Sequence, residues 1–416
     1  MRSDTDTDAG PAGRIVSPVV DGVVADRVVA PSSGREVADL LADAAARGLA
    51  VAPVGAATAL GLGNPPARLD VVLSTARLGG VLDYEPTDLV LSVGAGARLG
   101  DVRVVLAEHG QGLPLDPPGG NRATIGGLIA TGRSGPMRLG AGTLRDLLIG
   151  IAVAHPSGTV TKAGGMVVKN VTGFDLARLY HGSLGTLGVI VSANFKVLPL
   201  PRAEATVLIA APTLAAALVA ASQVRASSVQ PVALDAAWFD GEWLAAVRLV
   251  GRSSTVAALA NEIEALVGSG TRRLDDRASA DWWRVYVEGQ RPATGDRDVV
   301  VRLDGRPKFT GELAGAVAAA AGDGGHELVG LACSIGLGSV IARVRLADGG
   351  TRALALWQGR LLGLADQVTI LAAPSAWKSG LDVWGREAEG IDVMRALKRQ
   401  FDPQGVLNPG RFASGI

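Results

Sequence analysis

Lys169, Asn170, Gly173, Asp175, Gly182, Ser183, Gly185 and Gly188 fall in one stretch, GGMVVKNVTGFDLARLYHGSLGTLGVI, that closes on an alternating apolar run. Polar side chains set among glycines bring backbone N–H groups close to a flat, anionic ligand, because a side chain at a glycine position would block the approach. Two more stretches of this kind lie upstream, 53–63 (PVGAATALGLG) and 117–142 (PPGGNRATIGGLIATGRSGPMRLGAG). The first is small and uncharged throughout, the composition of a loop that turns successive N–H groups onto a pyrophosphate. Three separated glycine-rich loops predict one long ligand, such as a dinucleotide.

Other chemistries lack their residues. Gly94, Gly96 and Gly100 follow a strand and open a helix, but with one residue too many for the Rossmann fingerprint, so they read as a tight strand-to-helix turn. Lys162 and Lys169 do not have P-loop spacing, and Ser183 has its glycines at the wrong offsets for a nucleophile elbow. His109, His155, His181 and His326 are isolated, so no metal site is expected. The single cysteine, Cys333, excludes an internal disulfide and a protein-held iron–sulfur cluster, and reads as a small buried residue.

The elements that must position these loops follow from periodicity. The chain has 416 residues, 48% hydrophobic and 19% charged, enough for two domains with ample cores. Forty basic residues balance forty acidic ones, which argues against a nucleic-acid partner. Neither a signal peptide nor an apolar run of membrane-spanning length is evident, so a cytoplasmic protein, not integral to the membrane, is expected.

Residues 1–25 read as a flexible tail. A strand at 28–31 leads into a helix marked by the capping-box spacing Ser33–Glu36 and by Val37, Leu40, Leu41, Ala44 and Ala45. Strands are expected at 49–54, 71–74 and 89–93, a helix at 99–106, a hairpin over 146–160 and a strand at 189–198. The stretch 117–142 reads as a long unstructured loop, and loops of that length in a compact domain are usually functional. Two prolines within 198–202 mark a boundary. Beyond it, helices at 212–226, 253–268 and 310–321 alternate with strands at 243–250, 299–303 and 339–346, before a last helix at 391–400. The fold class expected is α+β: residues 26–200 as a ligand-binding domain, 201–395 as an α+β cap with an antiparallel sheet, and 396–416 returning to the first domain.

Together these residues resemble the two-subdomain FAD-binding domain shared by vanillyl-alcohol oxidase and para-cresol methylhydroxylase (PCMH-type), and within that class the FAD-binding subunits of bacterial glycolate oxidase. GGMVVKNVTGFDLARL, GSLGTLGVI, KVLPLPRA and the ending FDPQGVLNPGRF carry the resemblance. It implies an FAD-dependent oxidoreductase whose pyrophosphate loop is Val54, Gly55, Ala56, Ala57, Thr58, Ala59, Leu60 and Gly61. Pro117, Thr124, Gly126, Gly127, Ser134 and Gly135 would line the cofactor. Lys169, Asn170, Gly173, Asp175, Gly185 and Ile190 would complete the cradle, and Asn408 and Arg411 would return against it.

Relatives that attach the flavin covalently use a histidine, sometimes with a cysteine. Neither type occurs in the first loop or in 117–142, so noncovalent FAD is expected. A 2-hydroxy acid such as glycolate or lactate needs a cation for its carboxylate, and Arg138, Lys378 and Arg411 are the candidates, arginine being favoured by its fork; no base stands out. The resemblance also implies partners, a second FAD subunit and an iron–sulfur subunit, and attachment to the inner face of the membrane only through them. In the companion flavin subunit of such complexes clustered histidines are thought to form the hydroxy-acid site, whereas His326 stands alone here. A non-catalytic relay or assembly subunit and a stand-alone oxidase therefore remain as alternatives. Trp377 and Trp384 read either as core or as part of a cap or interface.

Overall fold

The computed structural model describes residues 17–167, 175–291 and 297–416. Short apolar runs build two small sheets around one helix. Arg27–Val29, Val71–Ser74 and Val51–Val54 form a parallel sheet in that spatial order. Leu148–Ala154, Val160–Gly164, Val189–Lys196, Val90–Gly94 and Val81–Glu85 form an antiparallel one. Helix Gly34–Ala46 lies between them, with Val37 and Leu41 fully buried against Val51, Leu73, Ala154 and Val189. Each such side chain contributes about 1.5–3 kcal/mol. Ser33 caps this helix through the Glu36 N–H at 3.1 Å, while the Glu36 carboxylate reaches one residue further back than a capping box requires, to Ser32.

The second domain is an eight-stranded antiparallel sheet between residues 203 and 372. Helices Leu214–Ala226, Ser253–Val267, Thr310–Asp323 and Thr351–Leu362 cover one face, and Cys333 is buried in that core. Helix Asp276–Gly289 covers the other face through Trp283 and Tyr286. The chain then returns: Val51 donates to Val406 O at 2.7 Å and accepts from the Asn408 N–H at 3.0 Å, so the C-terminal segment adds to the parallel sheet. No helix among the described residues is long and apolar enough to cross a membrane.

Two expectations are corrected. Within the supposed tail, Val19–Val20 and Val23–Val24 form a hairpin with Val20 fully buried. It is held because Asp21, in the turn with φ +49°, pairs with Lys378. The stretch 117–142 is not unstructured: it contains helix Ile125–Thr131, capped by Thr124, and a shorter helical turn, Arg138–Ala141. Seven residues are too few to show an apolar period, and Gly126–Gly127 count against a helix by propensity. At 198–202, Leu198–Pro199 pairs with Gln111–Gly112, so Pro199 sits in a short edge pairing, and the next strand begins at Ala203.

Candidate functional site

The loop after strand Val51–Val54 turns back on itself with Ala57 at φ +59°, a left-handed conformation that costs a non-glycine residue about 1–2 kcal/mol. That strain is sustained because the loop is held on several sides. Gly55 lies so close to Thr124 that a side chain would overlap its hydroxyl, and a Cβ on Gly119, at φ +94°, would meet Thr58 Cβ at 2.9 Å.

An open cleft runs between these walls. Its lining includes Val54 through Leu60 from the first loop, Thr124 and Gly127 from the start of the short helix, and Asn408 and Arg411 from the C-terminal segment. A smaller pocket adjoins it through Leu128 and Arg133, and is bounded by Pro117, Ser134, Gly135, Arg138 and Asp116.

Not every expected residue faces this space. Gly61 is outside the lining, its carbonyl accepting from Lys378 Nζ at 2.9 Å. Gly126 packs on Ala95 and Gly185, at φ +69°, on Pro53, both close backbone approaches that support the walls. Ile190 is a buried residue of the antiparallel sheet's core. Asp175 precedes helix Leu176–Tyr180, half exposed, and pairs with Arg178 at 2.6 Å. Lys169, Asn170 and Gly173 lie outside the described residues.

The three candidate cations have different fates. Lys378 is fully buried and its ammonium is spent on the Asp21 carboxylate and the carbonyls of Gly61 and Gly63; burial lowers its pKa and Asp21 partly restores it. It presents no charge to the cleft and instead ties the N-terminal hairpin to the first loop. Arg411, 5% exposed, donates from Nη2 to Leu60 O and Leu62 O, each at 2.7 Å, and so shapes the loop it lines. Arg138 is half-buried and, among the described residues, makes no ion pair. Burial and then Arg302 lower its pKa, with Asp304, Asp235 and Asp116 opposing.

Sequence reasoning missed Arg133, which borders both cavities and whose pKa is pushed down to about 10 by burial, with Arg291 and Arg302 adding. Its signal was present, a guanidinium inside the glycine-rich run GRSG. Asp116 was also missed. Its carboxylate accepts the Met137 N–H at 3.0 Å and faces Arg248 of the second domain at 3.6 Å, and burial raises its pKa to about 7. Trp384, whose Nε1 donates to Arg411 O at 3.1 Å, packs with Leu62, Leu184 and Phe412 where the two domains meet.

A dinucleotide fits this cleft on grounds of its own atoms. Asn408, 4% exposed, lines the cleft and donates from Nδ2 to Leu184 O at 2.6 Å, while its Oδ1 is buried with no partner among the described residues, a buried acceptor of the kind native folds satisfy.

The sequence of residues 25–164 matches the family described as FAD binding domain, and residues 384–412 match FAD linked oxidases, C-terminal domain. Glycolate oxidase subunit GlcE of Escherichia coli is 42% identical over 129 residues, 31% of this chain and 37% of that protein. D-2-hydroxyglutarate dehydrogenase of Xanthomonas citri pv. viticola is 28% identical over 92% of this chain and 88% of its own length. Glycolate oxidase subunit GlcD of Bacillus subtilis is 32% identical over 44% of this chain and 39% of its own. The aligned segments thus span well under half of either glycolate oxidase subunit. A solved structure of alkyldihydroxyacetonephosphate synthase superposes with a TM-score of 0.66 over 92% of this chain and 77% of its own, at 18% identity, which shows a shared α+β fold. The two family matches, carried on that fold, make FAD the cofactor of this chain.

Proposed function

We propose that the chain oxidises a small 2-hydroxy acid, of the glycolate or lactate type, with noncovalently held FAD, as one subunit beside a second FAD protein and an iron–sulfur protein. The observation that carries the reading is Arg138, a guanidinium that makes no ion pair among the described residues and lies in a pocket adjoining the FAD cleft. The names of the similar proteins, two glycolate oxidase subunits and a D-2-hydroxyglutarate dehydrogenase, support the substrate class. Noncovalent attachment agrees with the lack of His and Cys in 54–61 and 117–142. A cytoplasmic location, at the membrane's inner face through partners, goes with this reading.

FAD, when bound, supplies the two-electron acceptor. The chain's part is to hold and orient. The fork of Arg138 matches a carboxylate with two parallel hydrogen bonds, and in a half-buried pocket that pair is weakened less by water than at the surface. A guanidinium keeps its charge at neutral pH even with the downward shift that burial imposes. Lys378 and Arg411 act on the first loop, whose carbonyls they fix.

A second reading, a relay or assembly subunit that never meets substrate, is favoured by one observation. His326 stacks edge-on against Trp357, ring centroids 5.2 Å apart, on the face of the sheet covered by helix Thr351–Leu362. It therefore gives the pocket no imidazole. Dye-linked turnover of the purified chain with glycolate and lactate separates the readings. The proposal expects turnover with one acid and, in Arg138→Met, a loss in kcat/KM of about 100-fold, the upper part of what a charged hydrogen bond supplies, with FAD content unchanged. A parent chain that binds FAD but turns over neither acid supports the relay reading.

A further inference from the structure

The glycine-rich loops on the two walls of the cleft have little regular structure of their own at Thr58 and Gly119, and what ties them from outside is a helix of the other domain. Helix Asp276–Gly289 is fixed to its sheet by Trp283 Nε1, which donates to Thr206 Oγ1 at 2.8 Å, and by Tyr286, whose hydroxyl donates to Asp235 at 2.8 Å. Both rings are almost completely buried. From this rigid base the helix end carries Glu288 and Arg291 across the domain junction.

Glu288 Oε1 accepts the Gly119 N–H at 2.6 Å, and Arg291 Nη2 donates to Thr58 O at 3.3 Å. The two side chains are themselves paired, Arg291 Nη1 to Glu288 Oε2, at 2.8 Å. One loop residue, Arg122, adds a 3.6 Å contact to the same carboxylate. The result is a closed circuit: first loop, Arg291, Glu288, second loop.

We infer that Glu288 and Arg291 form a staple by which the second domain preorganises both FAD-binding loops, and that retention of FAD is what the staple serves. The inference rests on FAD as the occupant of the cleft. Its physical basis is entropic. Fixing a loop residue costs about 1–2 kcal/mol, and a cleft whose walls are already ordered does not charge that cost against binding. Linkage makes the effect reciprocal, so bound FAD also strengthens the docking of the two domains. Glu288 and Arg291 are positioning residues in this account. The staple is about one-third exposed, so solvent screens it and its effect is moderate.

The test uses the full-length chain. FAD release is followed by the rise in flavin fluorescence on dilution, with the thermal midpoint of the FAD-free protein measured alongside. Glu288→Ala and Arg291→Ala are each expected to raise the dissociation constant about tenfold, or about 1.4 kcal/mol. The double variant should lose at most about threefold more than the worse single, because the two side chains share one ion pair. The FAD-free midpoints should stay within about 2 °C of the parent. Glu288→Gln keeps an oxygen for the Gly119 N–H while losing the ion pair, and is expected to weaken FAD about threefold. Parental release rates in both alanine variants, or no change in Glu288→Gln, overturn the inference. So does a fall in the FAD-free midpoint as large as the fall with FAD bound, which marks a merely structural contact. A parent chain that takes up no FAD refutes the cofactor reading itself, before any variant is compared.

Discussion

Replacing Gly55 by alanine tests whether close packing of the first loop on Thr124 shapes the cleft that holds FAD. The added Cβ would overlap the Thr124 hydroxyl and lie 3.1 Å from Thr124 Cβ and 3.2 Å from its Cγ2. Thr124 has little freedom to yield, being 4% exposed and accepting the Gly127 N–H as the cap of helix Ile125–Thr131. Turning the hydroxyl away forfeits a cap worth about 1 kcal/mol. Forcing a methyl into a packed site adds about 1–3 kcal/mol. The overlap is between two walls of the cleft, so the whole cost is the most that FAD binding can lose. The sum, about 2–4 kcal/mol, sets the ceiling on the effect, a dissociation constant raised about 30- to 700-fold. The assay is titration of the FAD-free chain, read by quenching of flavin fluorescence. Gly61→Ala is the control: its Cβ would meet nothing within 4 Å, and affinity should stay within about threefold of the parent. The reasoning is refuted by a Gly55→Ala chain that binds FAD as tightly as the control.

Two further outcomes follow from buried charges. Lys378→Met leaves the Asp21 carboxylate unpaired in the interior and two carbonyls without their donor, so urea unfolding should show a loss of about 3–5 kcal/mol; a loss below about 1 kcal/mol contradicts the role given to Lys378. Asp116 has its pKa raised to about 7, chiefly by burial, so the folded chain holds this proton more tightly than the unfolded chain does. Its contribution to stability is therefore full below about pH 4, declines as pH rises to about 7 and is flat beyond. Asp116→Asn should remove that slope, and parallel stability–pH curves for variant and parent would refute it.

Much of the first domain is legible in the sequence because its signals are local. Val71–Ser74 opens on a run of three apolar residues, Ser33 announces the helix that follows it, and the first loop declares itself by smallness. What was not legible depends on distance. Glu288 and Arg291 reach loops 169 and 233 residues away, and nothing in their neighbourhood marks them. Lys378 reads as a candidate cation for a substrate carboxylate until its partner, Asp21, arrives from 357 positions upstream in a segment that reads as tail. The helix Ile125–Thr131 escapes because its two glycines are weak helix formers, and its cap and tertiary packing override that propensity.

The central claim, that this chain's own FAD oxidises a 2-hydroxy acid, is tested most directly by anaerobic titration. The purified, FAD-loaded chain is mixed with glycolate, lactate and related acids while the oxidised flavin band, roughly near 450 nm, is recorded. The account predicts stoichiometric bleaching by one of the acids. A band that dithionite bleaches but no 2-hydroxy acid does would contradict it.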